Sequence, residues 1–152
     1  MARRVEIRIA AETSASVDDV LEGACDFSER RPRIWPNVKE GHFQVHIAGE
    51  TFVEATEELW PTGIWEQCRY DWSRPGSVKA TVLDSNALVP GSSWELAATP
   101  VEGRTRVEAV FLRDFLRTPR GRFAEAVNRL AGRWLAGSDL RRALSEIEQP
   151  RA

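Results

Sequence analysis

Residues 104–147 read RTRVEAVFLRDFLRTPRGRFAEAVNRLAGRWLAGSDLRRALSEI, and a change of period inside this stretch decides the fold. Over Arg104–Phe115 the side chains of Val107, Ala109 and Phe111 fall on one face of a strand. From about Pro119 the period lengthens. Phe123, Val127, Leu130, Trp134, Leu140, Leu144 and Ile147, with Gly137 filling the gap, recur at steps of 4, 3, 4, 3, 3, 4 and 3. That is one stripe of a long amphipathic helix running to Ile147. Gly137 falls on the buried side, where glycine costs ~1 kcal/mol relative to alanine. It lets a strand approach, leaves room for a ligand, or kinks the helix.

Upstream, from His42 onward, the chain reads as one strand after another. His42–Ala48 and Phe52–Trp60 flank Gly49-Glu50-Thr51, and Trp60-Pro61-Thr62-Gly63 has proline and glycine where a turn with a following bulge wants them. Ile64–Trp72 and Ser77–Asp84 flank Ser73-Arg74-Pro75-Gly76, while Ser93–Thr99 is joined to the Arg104 strand through Glu102-Gly103. Ser85–Ser92 is the one longer break. At the other end Val5, Ile7 and Ile9 alternate with Glu6 and Arg8 as a first strand. Ser14 and Ser16 offer N-caps, and Asp18 and Asp19 suit the first turn of a helix over Val17–Phe27. A second short helix over Ser28–Ile34 must end by Trp35, because Pro36 disfavours helical geometry just before it. The expected architecture is α+β: a seven-stranded curved antiparallel sheet wrapped around a long C-terminal helix, with two short helices after strand 1. A single domain over residues 1–152 is expected, and a sheet gripping one helix tends to leave a cavity between them.

Bulk properties exclude several classes. A chain of 152 residues is long enough to bury ~68–70% of its unfolded surface. With 29% charged and 42% hydrophobic residues it has a globular profile, and a net charge of −2 gives no global pull toward nucleic acid. Residues 113–152 hold nine arginines against five acids, a solvated helix face or a surface for an acidic partner. Met1-Ala2-Arg3-Arg4 is followed by no apolar run, so no secretory leader is expected, and no stretch approaches the ~20 apolar residues of a membrane span. Cys25 and Cys68 form no CxxC pattern, which fits a reduced, cytoplasmic setting.

The strand faces follow from the turns. With a three-residue loop at Gly49–Thr51, Phe43, Val45 and Ile47 share a face with Val53, Ala55, Glu57 and Leu59. A bulge at Gly63 carries that face through Trp65, Gln67, Arg69 and Asp71, and a four-residue loop at Ser73–Gly76 carries it on to Val78, Ala80, Val82 and Asp84. Trp94, Leu96 and Ala98 join Val107, Ala109 and Phe111. In this register Glu57 and Arg69 point inward on adjacent strands as a pair, with Asp84 as the second acid. The alternative register turns Cys68, Tyr70 and Trp72 inward and sends the polar set to solvent. One bulge decides, because a one-residue slip flips every side chain.

No phosphate-binding glycine loop and no GxSxG elbow occurs, so neither nucleotide binding nor hydrolase chemistry is supported. His42 and His46 would lie ~13 Å apart on a strand, too far to share one ion. No metal or cofactor is expected. Of the six tryptophans, Trp94 and Trp134 fall on apolar stripes and are expected in the core, and only Trp65 with Arg69 has the basic neighbour that stacking on single-stranded nucleic acid would want, so no nucleic-acid partner is expected.

The order of elements resembles the helix-grip fold of the SRPBCC superfamily, which includes START domains, birch-pollen-allergen-like proteins and polyketide cyclase/dehydrase-like proteins. The last, bacterial, group is the most similar. The resemblance is carried by Val5-Glu6-Ile7 leading to Ser16-Val17-Asp18-Asp19-Val20, by Asp84-Ser85-Asn86, by Pro90-Gly91-Ser92-Ser93-Trp94-Glu95-Leu96, and by Thr99-Pro100-Val101-Glu102-Gly103-Arg104-Thr105-Arg106-Val107. It spans essentially the whole chain. It implies a fold and a cavity, and no reaction, because the family has no short catalytic signature.

The function expected first is therefore binding of a small hydrophobic molecule (lipid, polyketide or isoprenoid-like) by a monomer or homodimer. A polyketide cyclase/dehydrase-like enzyme is the alternative, with Glu57, Asp71 or Asp84 as general base. An interaction module using the basic C-terminal helix face is the third. The ligand-binding residues expected are Glu57, Trp65, Gln67, Arg69, Asp84, Trp94, Leu96, Phe111, Trp134 and Gly137. Trp94, Leu96, Phe111 and Trp134 form the floor, and Gly137 marks the mouth.

Overall fold

The computed structural model describes residues 4–59 and 62–149. Its strands are β1 (Val5–Thr13), β2 (Val38–Ala48), β3 (Phe52–Leu59), β4 (Ile64–Asp71), β5 (Ser77–Ser85), β6 (Ser93–Val101) and β7 (Arg104–Arg113). The helices are α1 (Val17–Ala24), α2 (Arg31–Ile34) and α3 (Pro119–Glu148). The strands form one antiparallel sheet in the order β1-β7-β6-β5-β4-β3-β2. This is the expected architecture, with β2 beginning at Val38 rather than His42.

Local chemistry fixes the helix starts. Ser16 accepts from the Asp19 N–H and caps α1, with Asp18 and Asp19 in the first turn. Thr118 accepts from the Gly121 N–H and caps α3, and Pro119 occupies the first turn, where its missing N–H costs nothing.

The register of β4 differs from the expectation. Leu59 pairs directly with Ile64, so the connection holds four residues and adds no bulge. Trp60 and Pro61 of the expected turn lie outside the described residues. Glu66, Cys68 and Tyr70 therefore join Glu57 on the concave face, while Trp65, Gln67, Arg69 and Asp71 turn to the convex one. The β4–β5 hairpin is also one residue out of the expected phase, pairing Tyr70 with Ala80. The two differences cancel, and Val78, Ala80 and Val82 still face inward, each at most 4% exposed. A bulge opposite Gln67 and Cys68 then turns Asp84 outward, opposite Gln67. A similar shift between Val45 and Ile47 turns Ile47 to the outer face, 51% exposed.

The phase of α3 is the other correction. Leu140, Leu144 and Ile147 pack inward as expected, but Phe123, Leu130 and Trp134 are 62%, 89% and 69% exposed. Ala124 and Gly132 are buried instead, Gly132 against β1, and Gly121 lies against the backbone of Leu116. The reason is distance: a Cβ at Gly132 would sit 2.5 Å from Cδ1 of Ile7 on β1. A helix this close to the sheet can bury only small residues there, so its large ones are left outside.

Candidate functional site

A cavity of about 380 Å³ lies between the concave sheet, the α2–β2 connection and α3. Its walls are apolar: Ile7 and Ile9 from β1, Trp94 and Leu96 from β6, Ala109 and Phe111 from β7, and Leu135 and Leu140 from α3. The aromatic rings continue one another. Phe27 meets Tyr70 edge-on at 4.8 Å, Tyr70 meets Trp94 at 6.0 Å, and Trp94 meets Phe111 at 6.4 Å.

Against this lining stands a buried polar cluster. Arg31, 2% exposed, donates through Nε to Oε1 of Glu57 at 2.5 Å and through Nη1 to the carbonyls of Ala24 (3.3 Å) and Asp26 (3.1 Å). Tyr70 Oη donates to the same Glu57 oxygen at 3.0 Å. The guanidinium also lies over the Phe27 ring, 4.1 Å from its centroid. Burial alone would lower the Arg31 pKa, but the Glu57 carboxylate and Tyr70 outweigh it and hold Arg31 charged. Burial pushes the Tyr70 phenol well up, reinforced by the adjacent Glu57 charge. Arg31 Nε and Nη1 and the Tyr70 hydroxyl are all spent on Glu57 or on backbone.

Glu66 is different. It sits opposite Glu57 across the β3–β4 ladder, 8% exposed, and lines the cavity. The nearest cation, Arg113 Nη1, stands 3.7 Å from its Oε1, beyond hydrogen-bond reach, and that oxygen has no partner among the described residues. Cys68 Sγ approaches Oε2 at 3.8 Å. Burial raises the Glu66 pKa, Arg113 opposes, and the Glu57 charge adds to the rise. Asn37 Oδ1, also unpartnered, lines the same cavity.

Of the residues expected at the site, Glu57, Trp94, Leu96 and Phe111 line the cavity. Trp65, Gln67, Arg69 and Asp84 do not, because β4 and the end of β5 present their other faces. Arg69 pairs instead with Glu54 at 3.2 Å on the convex side and lies over the Phe52 ring. Asp71 is on that side too, and hydrogen bonds from Ser73 lower its pKa, the opposite of what a general base needs. Trp134 projects to solvent, and Gly137 is buried but does not border the cavity. His42 contacts Glu58 and His46 contacts Thr56, both at the surface.

Sequence reasoning missed Arg31, Glu66, Arg113 and Asn37. Glu66 becomes visible once the β4 parity is right, since it is then an acid on an inward stripe. For Arg31 the one signal is that it lies three residues before Ile34, on the same side of a short helix, and both are buried.

No family model matches the chain, and no curated protein matches it in sequence. Solved structures do match in fold. The Zhui aromatase/cyclase from a Streptomyces species superposes with a TM-score of 0.78 at 16% identity, over 96% of this chain and 94% of that one. A START superfamily protein from Mycobacterium smegmatis gives 0.73 at 14% identity, covering 95% and 97%. Norcoclaurine synthase from Thalictrum flavum, solved with dopamine and hydroxybenzaldehyde, gives 0.67 at 12% identity, covering 99% and 91%. The chain has the helix-grip fold that these solved structures share. Among the described residues, no helix is long and apolar enough to cross a membrane.

Proposed function

We propose that residues 1–152 form a single ligand-binding domain that takes a small, largely hydrophobic molecule of the polyketide, isoprenoid or lipid kind into the cavity between sheet and α3. The observation that carries this reading is the cavity itself: about 380 Å³, walled largely by aromatic and aliphatic side chains, with a buried polar cluster around Glu57 and Glu66 on the sheet side. Pockets of this composition derive affinity from apolar burial and orientation from a few fixed polar atoms. The fold neighbours, among them an aromatase/cyclase and a START superfamily protein, support the same reading. Native mass spectrometry of the freshly purified protein tests it. A co-purifying organic mass that is released on denaturation is expected; a bare protein that also fails to take up a neutral naphthalene probe overturns it.

A second reading, a cyclase-like enzyme, is favoured by one observation: Glu66 is a buried carboxyl with raised proton affinity facing an apolar space. Such a group donates or removes a proton beside a bound carbonyl. Turnover of a polyketide-like β-dicarbonyl by the parent protein and none by Glu66→Gln is the expected result if this reading holds.

A further inference from the structure

We propose that Glu66 and Arg113 form an oxygen-binding subsite at the polar end of the cavity, which takes a carbonyl oxygen of the bound molecule. The inference rests on the ligand-binding reading above and names the group that the ligand must carry. Three observations lead to it.

The first is the orphan oxygen. Oε1 of Glu66 is buried, lines the cavity and has no hydrogen-bond partner among the described residues. Buried polar atoms are nearly always satisfied, so an unsatisfied one bordering an empty space marks where a guest atom belongs. The second is the state of the neighbours. Glu57, directly opposite, is already engaged by Arg31 and Tyr70 and has no free donor to offer. Cys68, a buried thiol, places its S–H toward Oε2 of Glu66 and so occupies the other carboxyl oxygen. The proton of a neutral Glu66 is therefore carried on Oε1, on the cavity side. Burial and the Glu57 charge both favour that neutral form against the pull of Arg113. The third is Arg113. Its guanidinium lines the cavity, lies 5.0 Å from the Phe111 ring centroid and stops 3.7 Å from Oε1.

Two donors then converge, an acid O–H and a guanidinium N–H, with no acceptor between them. A carbonyl oxygen accepts two hydrogen bonds and brings no proton that would itself need a partner. A carboxylate guest is disfavoured, because Glu57 on the adjoining strand already presents a carboxylate, to which Arg31 donates through Nε.

The test compares two neutral probes of one shape, 2-acetylnaphthalene and 2-ethylnaphthalene, titrated into the whole protein by calorimetry. The parent is expected to bind the ketone about tenfold more tightly than the hydrocarbon, the worth of one well-placed hydrogen bond. Glu66→Gln keeps an N–H donor and should keep the preference. Glu66→Met, which leaves only the Arg113 donor, should cut the preference, read as the ratio of the two affinities within each variant, and Arg113→Met should reduce it if Glu66→Met does not fold. An unchanged preference in Glu66→Met or, where that variant does not fold, in Arg113→Met overturns the subsite and leaves the ligand-binding reading intact. If neither probe binds the parent, that reading falls and the subsite falls with it.

Discussion

Glu57 and Glu66 face each other across the β3–β4 ladder; Arg31 and Tyr70 both bond to Glu57 Oε1, while Oε1 of Glu66 has no hydrogen-bond partner among the described residues. One acid is thereby committed to structure and the other is left to the cavity. The difference sets what each should do when altered.

Arg31→Met should be among the most damaging single changes in the chain. Both partners of the Arg31–Glu57 pair are buried, with side chains 3% and 7% exposed, and removing the cation strands a carboxylate. A loss of ~3–5 kcal/mol in urea unfolding is expected. Arg69→Ala, whose partner pair is 42% and 19% exposed, should cost only ~0–1 kcal/mol. Equal losses in the two variants would contradict the β4 register.

Glu66→Gln should change stability in a pH-dependent way. A carboxyl whose folded pKa is raised contributes fully below its unfolded value of ~4.3, and that contribution is lost as pH rises toward the folded value. The amide does not ionise. Melting temperatures of parent and variant should therefore converge at pH 4 and separate by pH 8, with the variant higher. A gap that is largest at acid pH would mean that Glu66 is held ionised.

Gly132→Ala should destabilise by ~1 kcal/mol, despite alanine's better helix propensity, because the new methyl meets Ile7. The cost should vanish when Ile7 is shortened to alanine, and a double-mutant cycle in urea would measure that coupling. Additive effects would place α3 farther from β1 than it stands here.

The outer stripe of α3 should be insensitive. Leu130→Gln and Trp134→Gln are expected within ~0.5 kcal/mol of the parent, whereas Leu144→Ala, at a site 4% exposed, should cost ~2–5 kcal/mol. Comparable losses at both ends of the helix would restore the apolar stripe expected from sequence.

These contrasts also show what could be read from the chain and what could not. The succession of strands along the chain, their turns and the final helix were legible because alternation, proline–glycine turns and a 3.6 period leave marks in the residues themselves. Arg69 was placed inward because facing depends on one count, the number of residues between Leu59 and Ile64, which composition does not reveal. Trp134 was placed inward because a periodicity argument weights large apolar residues, while close approach to β1 selects for glycine and alanine. Arg31 is hard to place for a third reason. Its partner lies 26 residues away on another element, and the spacing to Ile34 marks a helix side but no partner.

The glycine contact sets α3 directly against β1 at position 132. The helix's C-terminal part is held by Leu140 and Leu144 in the core and by Glu148, which accepts from the Thr13 hydroxyl and the Ser14 N–H. Toward its N-terminus, position 132 is the spacer. Bulk added there meets the δ-methyl of Ile7, which itself lines the cavity, while Trp94, Leu96 and Phe111 keep their places in the sheet. The space available to a guest is thus tunable from a single helix position, independently of the polar end that would orient it.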